Sequence, residues 1–175
     1  MTNGELDQRA LTGPFVEQTW EYEAPDLRWM LDYWLERRGD RERPRWRDID
    51  LLAIYKYAPK IVVKDAIDNG ADFVVRFWGT EITEWLNFDG TGKRLSDYFP
   101  KTDLENILSS HRLGLLGGIP VRRWGISRYP DRDHVAFDTI TLSLDSDDDT
   151  PAHIITLTTF QPASSADIQG PTKPS

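Results

Sequence analysis

Apolar residues recur at Leu27, Met30, Leu31, Trp34 and Leu35 with polar residues between them, which is the period of a helix carrying one apolar stripe. Pro25 at a first helical position, Asp26 beside it and Gly39 beyond it mark the start and the stop. The pattern predicts an amphipathic helix over 25–38. Its stripe needs a cover, supplied either by the chain's own sheet or by a second copy of the same helix.

Further along, the period changes. Asp48 is placed to cap a short helical turn through Ile49, Leu51, Leu52 and Ile54, which Pro59 ends. Ile61-Val62-Val63 with Ala66-Ile67 reads as a first strand, Asp68-Asn69-Gly70 as a hairpin turn, and Phe73 to Trp78 as a second strand. Strict alternation puts Arg76 and Trp78 on one face of that strand and Phe73, Val75 and Phe77 on the other. Thr80 then serves as an N-cap for a short helix with Ile82, Trp85 and Leu86, closed by Asn87 and the turn Asp89-Gly90-Thr91-Gly92.

From Thr102 and Asp103 a longer helix is predicted, with Leu104, Ile107, Leu108, His111, Leu115 and Leu116 on its apolar face, stopped by Gly117-Gly118. Three strands follow, Val121 to Arg128, Val135 to Leu144 and His153 to Phe160, long enough to pair as a meander. The order predicts an α+β fold: a five-stranded antiparallel sheet with helices on one face, plus the N-terminal amphipathic flanking helix. Residues 1–24 show no sustained period and read as a flexible arm that docks locally through Trp20, with 25–58 as a helical extension and 59–161 as the domain proper. Residues 162–175 are Pro, Ser, Gly and Thr with little to bury, which predicts a disordered tail.

A strand ending in Gly79-Thr80, a short helix, and a Gly-rich loop leading to Leu95-Ser96-Asp97-Tyr98-Phe99 resemble the sensor fold called PAS. Trp34, Arg38-Gly39, Pro44, Asp48-Ile49-Asp50, Gly79-Thr80 and Thr91-Gly92 resemble the marks of small stand-alone PAS-like proteins common in alphaproteobacteria. The resemblance spans roughly residues 27 to 161. It implies a PAS-like fold whose ligands sit between sheet and helices. It also implies dimerisation through a flanking helix, here Leu27, Met30, Leu31 and Trp34. With one domain filling most of the chain, output is expected by contact in trans.

Charge narrows the partners. The formal net charge is −8, which argues against nucleic acid or an anionic membrane. The basic run from Arg37 to Arg47 is interleaved with Asp40 and Glu42 and followed by Asp48 and Asp50, so it reads as a solvated loop. There is no cysteine, so disulfides and thiolate metal sites are excluded. On the resemblance, so is cysteine-dependent flavin or coumarate photochemistry. No long apolar run and no secretory leader is visible, and the expectation is a cytoplasmic, membrane-free protein. Seven tryptophans favour at least one contact with a signalling protein or a second copy.

Four residues are candidates for ligand binding. His111 shares the buried face of the long helix, and the resemblance implies a possible haem ligand there. The plain alternative is a core histidine bonded to a carbonyl or a buried carboxylate. Arg76, if it faces inward with Trp78, would clamp a carboxylate or phosphate; if outward, it is a surface residue. Trp124 shares a face with Arg122 and presents either a pocket wall or a stacked surface.

Thr91-Gly92 lacks the context of a phosphate loop, and the aspartates at 145–149 lack that of a calcium loop, so no metal site is expected. His111, His134 and His153 lie on separate elements without a partner acid at a telling spacing, so no catalytic residue is assigned and no enzyme is expected. Three readings follow: a ligand-binding sensor, a scaffold whose pocket Phe73, Phe77, Trp85, Phe99, Trp124 and Phe137 fill, and an enzyme in which His111 meets an acid such as Asp138. A cavity separates the first two.

Overall fold

The computed structural model describes residues 13–164; the tail expected over 162–175 lies mostly outside them. Six strands form one antiparallel sheet: β1 (Phe15–Gln18), β2 (Ile61–Ile67), β3 (Asp72–Trp78), β4 (Val121–Ile126), β5 (Val135–Asp145) and β6 (Pro151–Pro162), in the order β1-β4-β5-β6-β2-β3. Four α-helices accompany them: α1 (Pro25–Arg38), α2 (Thr80–Leu86), α3 (Leu95–Tyr98) and α4 (Lys101–Leu116). The five-stranded expectation is corrected by β1, which pairs with β4 through residues read as a flexible arm. Three of its four residues are exposed, so backbone pairing and the contact of Phe15 with Trp124, 5.5 Å between ring centres, hold it there. Such an edge strand leaves no alternating pattern to read.

Helices cover both faces of the sheet. Leu27, Met30, Leu31 and Trp34 of α1 are 0–5% exposed and pack on Ile61, Val63, Ile140, Leu142, Leu144, Ile155 and Leu157 of the outer face. The Trp34 indole N–H donates to the Ser143 carbonyl at 2.8 Å. The two covers weighed for this stripe resolve to the first: the chain's own sheet occupies it, and the four side chains are not presented to a partner. Trp20 rests at the margin of this layer, 6.4 Å from the Trp34 ring and still 42% exposed.

On the inner face, α2 supplies Ile82 and Leu86 to a cluster with Val62, Val75 and Trp78. Leu108 and Leu115 of α4 join Phe73, Leu95 and Ile154. Gly114 makes the close approach of α4 possible, because a Cβ there would meet the Thr141 methyl at 2.7 Å. That roll of the helix leaves Leu116, expected inside, 53% exposed. Gly79 is equally constrained, since a Cβ would overlap the Pro59 carbonyl while its N–H donates to Ile61 at 2.8 Å.

One local expectation is revised. Asp48 does not cap the turn at 49–54; its carboxylate takes the Arg45 N–H at 2.8 Å and Arg41, while Asp50 caps Leu52 and Ala53 at 3.0 and 3.1 Å. The Gly-rich loop runs along β3, with Gly92 N–H to Val75 carbonyl at 2.9 Å and Val75 N–H to Lys93 carbonyl at 3.0 Å. It therefore shields that edge of the sheet rather than cradling a phosphate.

Replacing Trp34 with Ala removes a buried indole and orphans the Ser143 carbonyl. It is expected to cost about 3–5 kcal/mol, read as a lowered urea midpoint with the native mass by light scattering unchanged. A drop in that mass without loss of stability would refute the intramolecular assignment.

Candidate functional site

Where the inner face and the helices diverge, they enclose a cavity of about 80 Å³. One end is apolar, walled by Trp78, Ile82, Leu86 and Phe160. The other is polar: Lys64 from β2, His111 from α4, Arg123 from β4, and Thr139, Thr156 and Thr158 from β5 and β6. Register places these side chains: Arg123 pairs with Thr139, Thr139 with Thr158, and Thr156 with Val62, so they share the face that Val62 and Lys64 present. Among the described residues no carboxylate lines the cavity.

The polar end is costly as it stands. Lys64 is 6% and His111 is 5% exposed. Neither imidazole nitrogen has a hydrogen-bond partner among the described residues, and the ring sits edge-on to Phe73 at 5.3 Å. The Lys64 ammonium shares this space with His111 and Arg123, and no acid is among the groups that act on it. Burial, then the Arg123 charge, pushes the Lys64 ammonium down to about 7. Burial, then Lys64 and Arg123, holds His111 well below its ordinary value. Arg123 is pushed down to about 10 by burial, against the pull of Tyr129 and Asp103; its Nε lacks a partner and its guanidinium lies 5.4 Å from the Phe137 ring centre. Unpaired buried polar groups each cost about 1–3 kcal/mol.

The candidates scatter. His111 and Trp78 line this cavity; Arg76 and Trp124 do not. The alternation that grouped Arg76 with Trp78 breaks at a β-bulge: Val63 pairs with Phe77 but Lys64 pairs with Val75, so Arg76 is an extra residue. Past the bulge Trp78 turns inward and Phe77 packs against the outer core. Arg76 points outward, its Nε 2.8 Å from Asp65, which also binds His153 Nδ1 at 2.7 Å. Burial opposes ionisation of Asp65, but Arg76 and His153 outweigh it and hold the carboxyl below its usual range.

Trp124 lies against Phe15, with the Arg122 guanidinium 4.4 Å from its ring centre. Arg122 grips Asp138 through two bonds of 3.0 Å, so Asp138 is taken and does not meet His111. Histidine bonded to a carbonyl or carboxylate, the plain alternative for His111, is not what the structure shows.

Lys64 and Arg123 were missed as site residues. The available signal was a lysine in phase with Val62 and Ala66 inside an apolar strand. A haem does not fit beside His111, because about 80 Å³ falls well short of the roughly 300–1,000 Å³ of cofactor-sized pockets. Among the described residues no group of three or more His, Asp or Glu is arranged to hold a metal, and no helix is long and apolar enough to cross a membrane.

The electrostatics fix a pH dependence. Lys64 releases its proton near pH 7 when folded and near 10.5 when unfolded, so the unfolded chain binds more protons between these values and stability rises with pH across them. His111, depressed well below 6.5, adds a loss of stability as pH falls beneath 6.5. Lys64→Met is expected to raise stability at pH 7 by about 1–3 kcal/mol and to flatten the rise above it in urea melts. A less stable Lys64→Met variant would mean that the ammonium is paired.

A family model described as "PAS domain" matches residues 23–159. No curated protein matches the chain. Among solved structures, a tryptophan-to-alanine variant of the Drosophila melanogaster Cycle PAS-B domain with bound glycerol aligns at TM-score 0.43 and 14% identity, covering 57% of this chain and 99% of that one. A sensory box histidine kinase/response regulator from Burkholderia thailandensis aligns at TM-score 0.40 and 7% identity, covering 63% and 84%. The family match spans the outer-face helix, the cavity and the strands that line it, and the chain belongs to the PAS domain family.

Proposed function

We propose that this PAS domain is a sensory or signalling module whose internal cavity takes a small ligand, with output by contact with a partner protein. The observation that carries this is the mismatch between the two faces of the sheet. The outer face is filled by aliphatic side chains and α1. The inner face spends five polar or charged residues, Lys64, Arg123, Thr139, Thr156 and Thr158, on a cavity wall. A pocket packed for stability alone would not bury a lysine beside a histidine whose two ring nitrogens lack partners.

A second reading, a purely structural interaction domain, draws on the cavity's small volume of about 80 Å³. In that reading Phe99, Phe137 and Phe160 fill most of the space that a ligand would take. A cytoplasmic location and self-association belong to the same proposed reading.

Native mass spectrometry of protein purified without refolding, joined to a thermal-shift screen of small metabolites, tests the first reading. The expected outcome is an adduct released on denaturation, or a shift of several degrees with one chemical class. A bare mass with no shift across the panel overturns it in favour of the second.

A further inference from the structure

The chemistry of the occupant follows from which charges the cavity holds, and it rests on the ligand-binding reading above. The groups that share the cavity with Lys64 come from three elements. Arg123 reaches in from β4, His111 from α4, and Arg128 and Tyr129 from the loop after β4. Asp103, at the start of α4, is the acid coupled to Arg123, and it does not line the cavity. A cavity lined by Lys64 and Arg123, with no carboxylate among its described lining residues, is short of negative charge.

Volume and lining then decide the kind of anion. A cavity of roughly 150 Å³ holds benzene, so about 80 Å³ suits a body of a few carbons. Inorganic phosphate would turn oxygens toward Trp78, Ile82, Leu86 and Phe160, where nothing donates to them except an indole N–H, Trp78 Nε1, itself without a partner among the described residues. A monoanion with a short apolar body matches both ends.

We propose that the cavity is a site for a short-chain aliphatic carboxylate, its oxygens held by Lys64 and Arg123 and its alkyl end among Trp78, Ile82, Leu86 and Phe160. The threonines complete the polar wall: Thr139 and Thr158 already share a hydroxyl hydrogen bond of 2.8 Å, and each hydroxyl keeps capacity for a ligand oxygen. His111 Nε2 and Nδ1, orphaned without a ligand, gain an acceptor on the carboxylate for whichever nitrogen carries the proton. Charge pairing at this depth raises the proton affinity of Lys64, which is pushed down to about 7 when the cavity is empty. Binding above pH 7 therefore draws in a proton, and affinity weakens with rising pH up to tenfold per unit.

Titration calorimetry on the full chain tests this, with acetate, propionate and butyrate as ligands in amine buffers of different ionisation enthalpy and chloride held constant. Expected are one site per chain, uptake of close to one proton at pH 8 and little at pH 6, and at least tenfold weaker binding in Lys64→Met and in Arg123→Gln. The neutral isosteres propionamide and butanol are expected to bind at least tenfold more weakly than propionate. Should the two variants fail to fold, proton uptake by the unaltered chain still decides. Isosteres binding as well as the acids, or phosphate binding in their place, would overturn the carboxylate assignment while leaving a ligand cavity standing. Binding by neither acids nor neutral probes would sink both.

Discussion

Everything in this molecule depends on the outer face of the sheet being closed by α1. Leu27, Met30, Leu31 and Trp34 bury themselves on seven aliphatic residues from β2, β5 and β6, and each fully buried side chain of this kind contributes about 1.5–3 kcal/mol. The Trp34 hydrogen bond to Ser143 fixes the helix's position along β5. A sheet held this firmly from one side does not need close packing on the other. The inner face can then carry polar groups and a void, both of which cost stability.

That asymmetry explains the local chemistry of each strand. In β2, Ile61 and Val63 point outward to the core while Val62 and Lys64 point inward to the cavity. In β6, Ile155 and Leu157 point outward while Thr156 and Thr158 line the void. Threonine suits such places, since its methyl packs and its hydroxyl finds a neighbour, as Thr156 does with the Val62 carbonyl at 3.3 Å. A lysine finds no such neighbour there. Its cost is tolerable because burial and Arg123 shift it toward neutrality at neutral pH.

Much of this was legible from residue patterns, and the losses have particular causes. Helix α1 carries a clear helical period, and the strands β4, β5 and β6 are long apolar runs between turn signals, and such patterns survive translation into three dimensions. A bulge does not announce itself: one extra residue at Arg76 reversed the face of everything after it, so Trp78 entered the cavity and Arg76 left it. Strand β1 was hidden for the opposite reason, because an edge strand with three exposed residues has no periodic burial to show. The roles of Lys64 and Arg123 were hidden because a basic residue in a strand is normally read as the solvated face. Only the register, which assigns both to the side of Val62 and Thr158, shows that they converge.

The chain carries a net charge of −8, yet its cavity is lined by basic residues, and these facts act over different distances. Exposed acids are screened beyond about 8 Å at physiological ionic strength, so they slow the approach of an anion more than they alter its energy once inside. Within the cavity the effective dielectric is lower than in water, so Lys64 and Arg123 act on an occupant more strongly than surface charges do. The local charge therefore sets affinity and the global charge sets the rate of entry. An acidic surface around a basic interior also guards the protein from polyanions, since nucleic acid meets only the outside. What reaches Lys64 must be small enough to leave bulk water behind, and that is the form in which the proposed carboxylate would bring its charge to the inner face of the sheet.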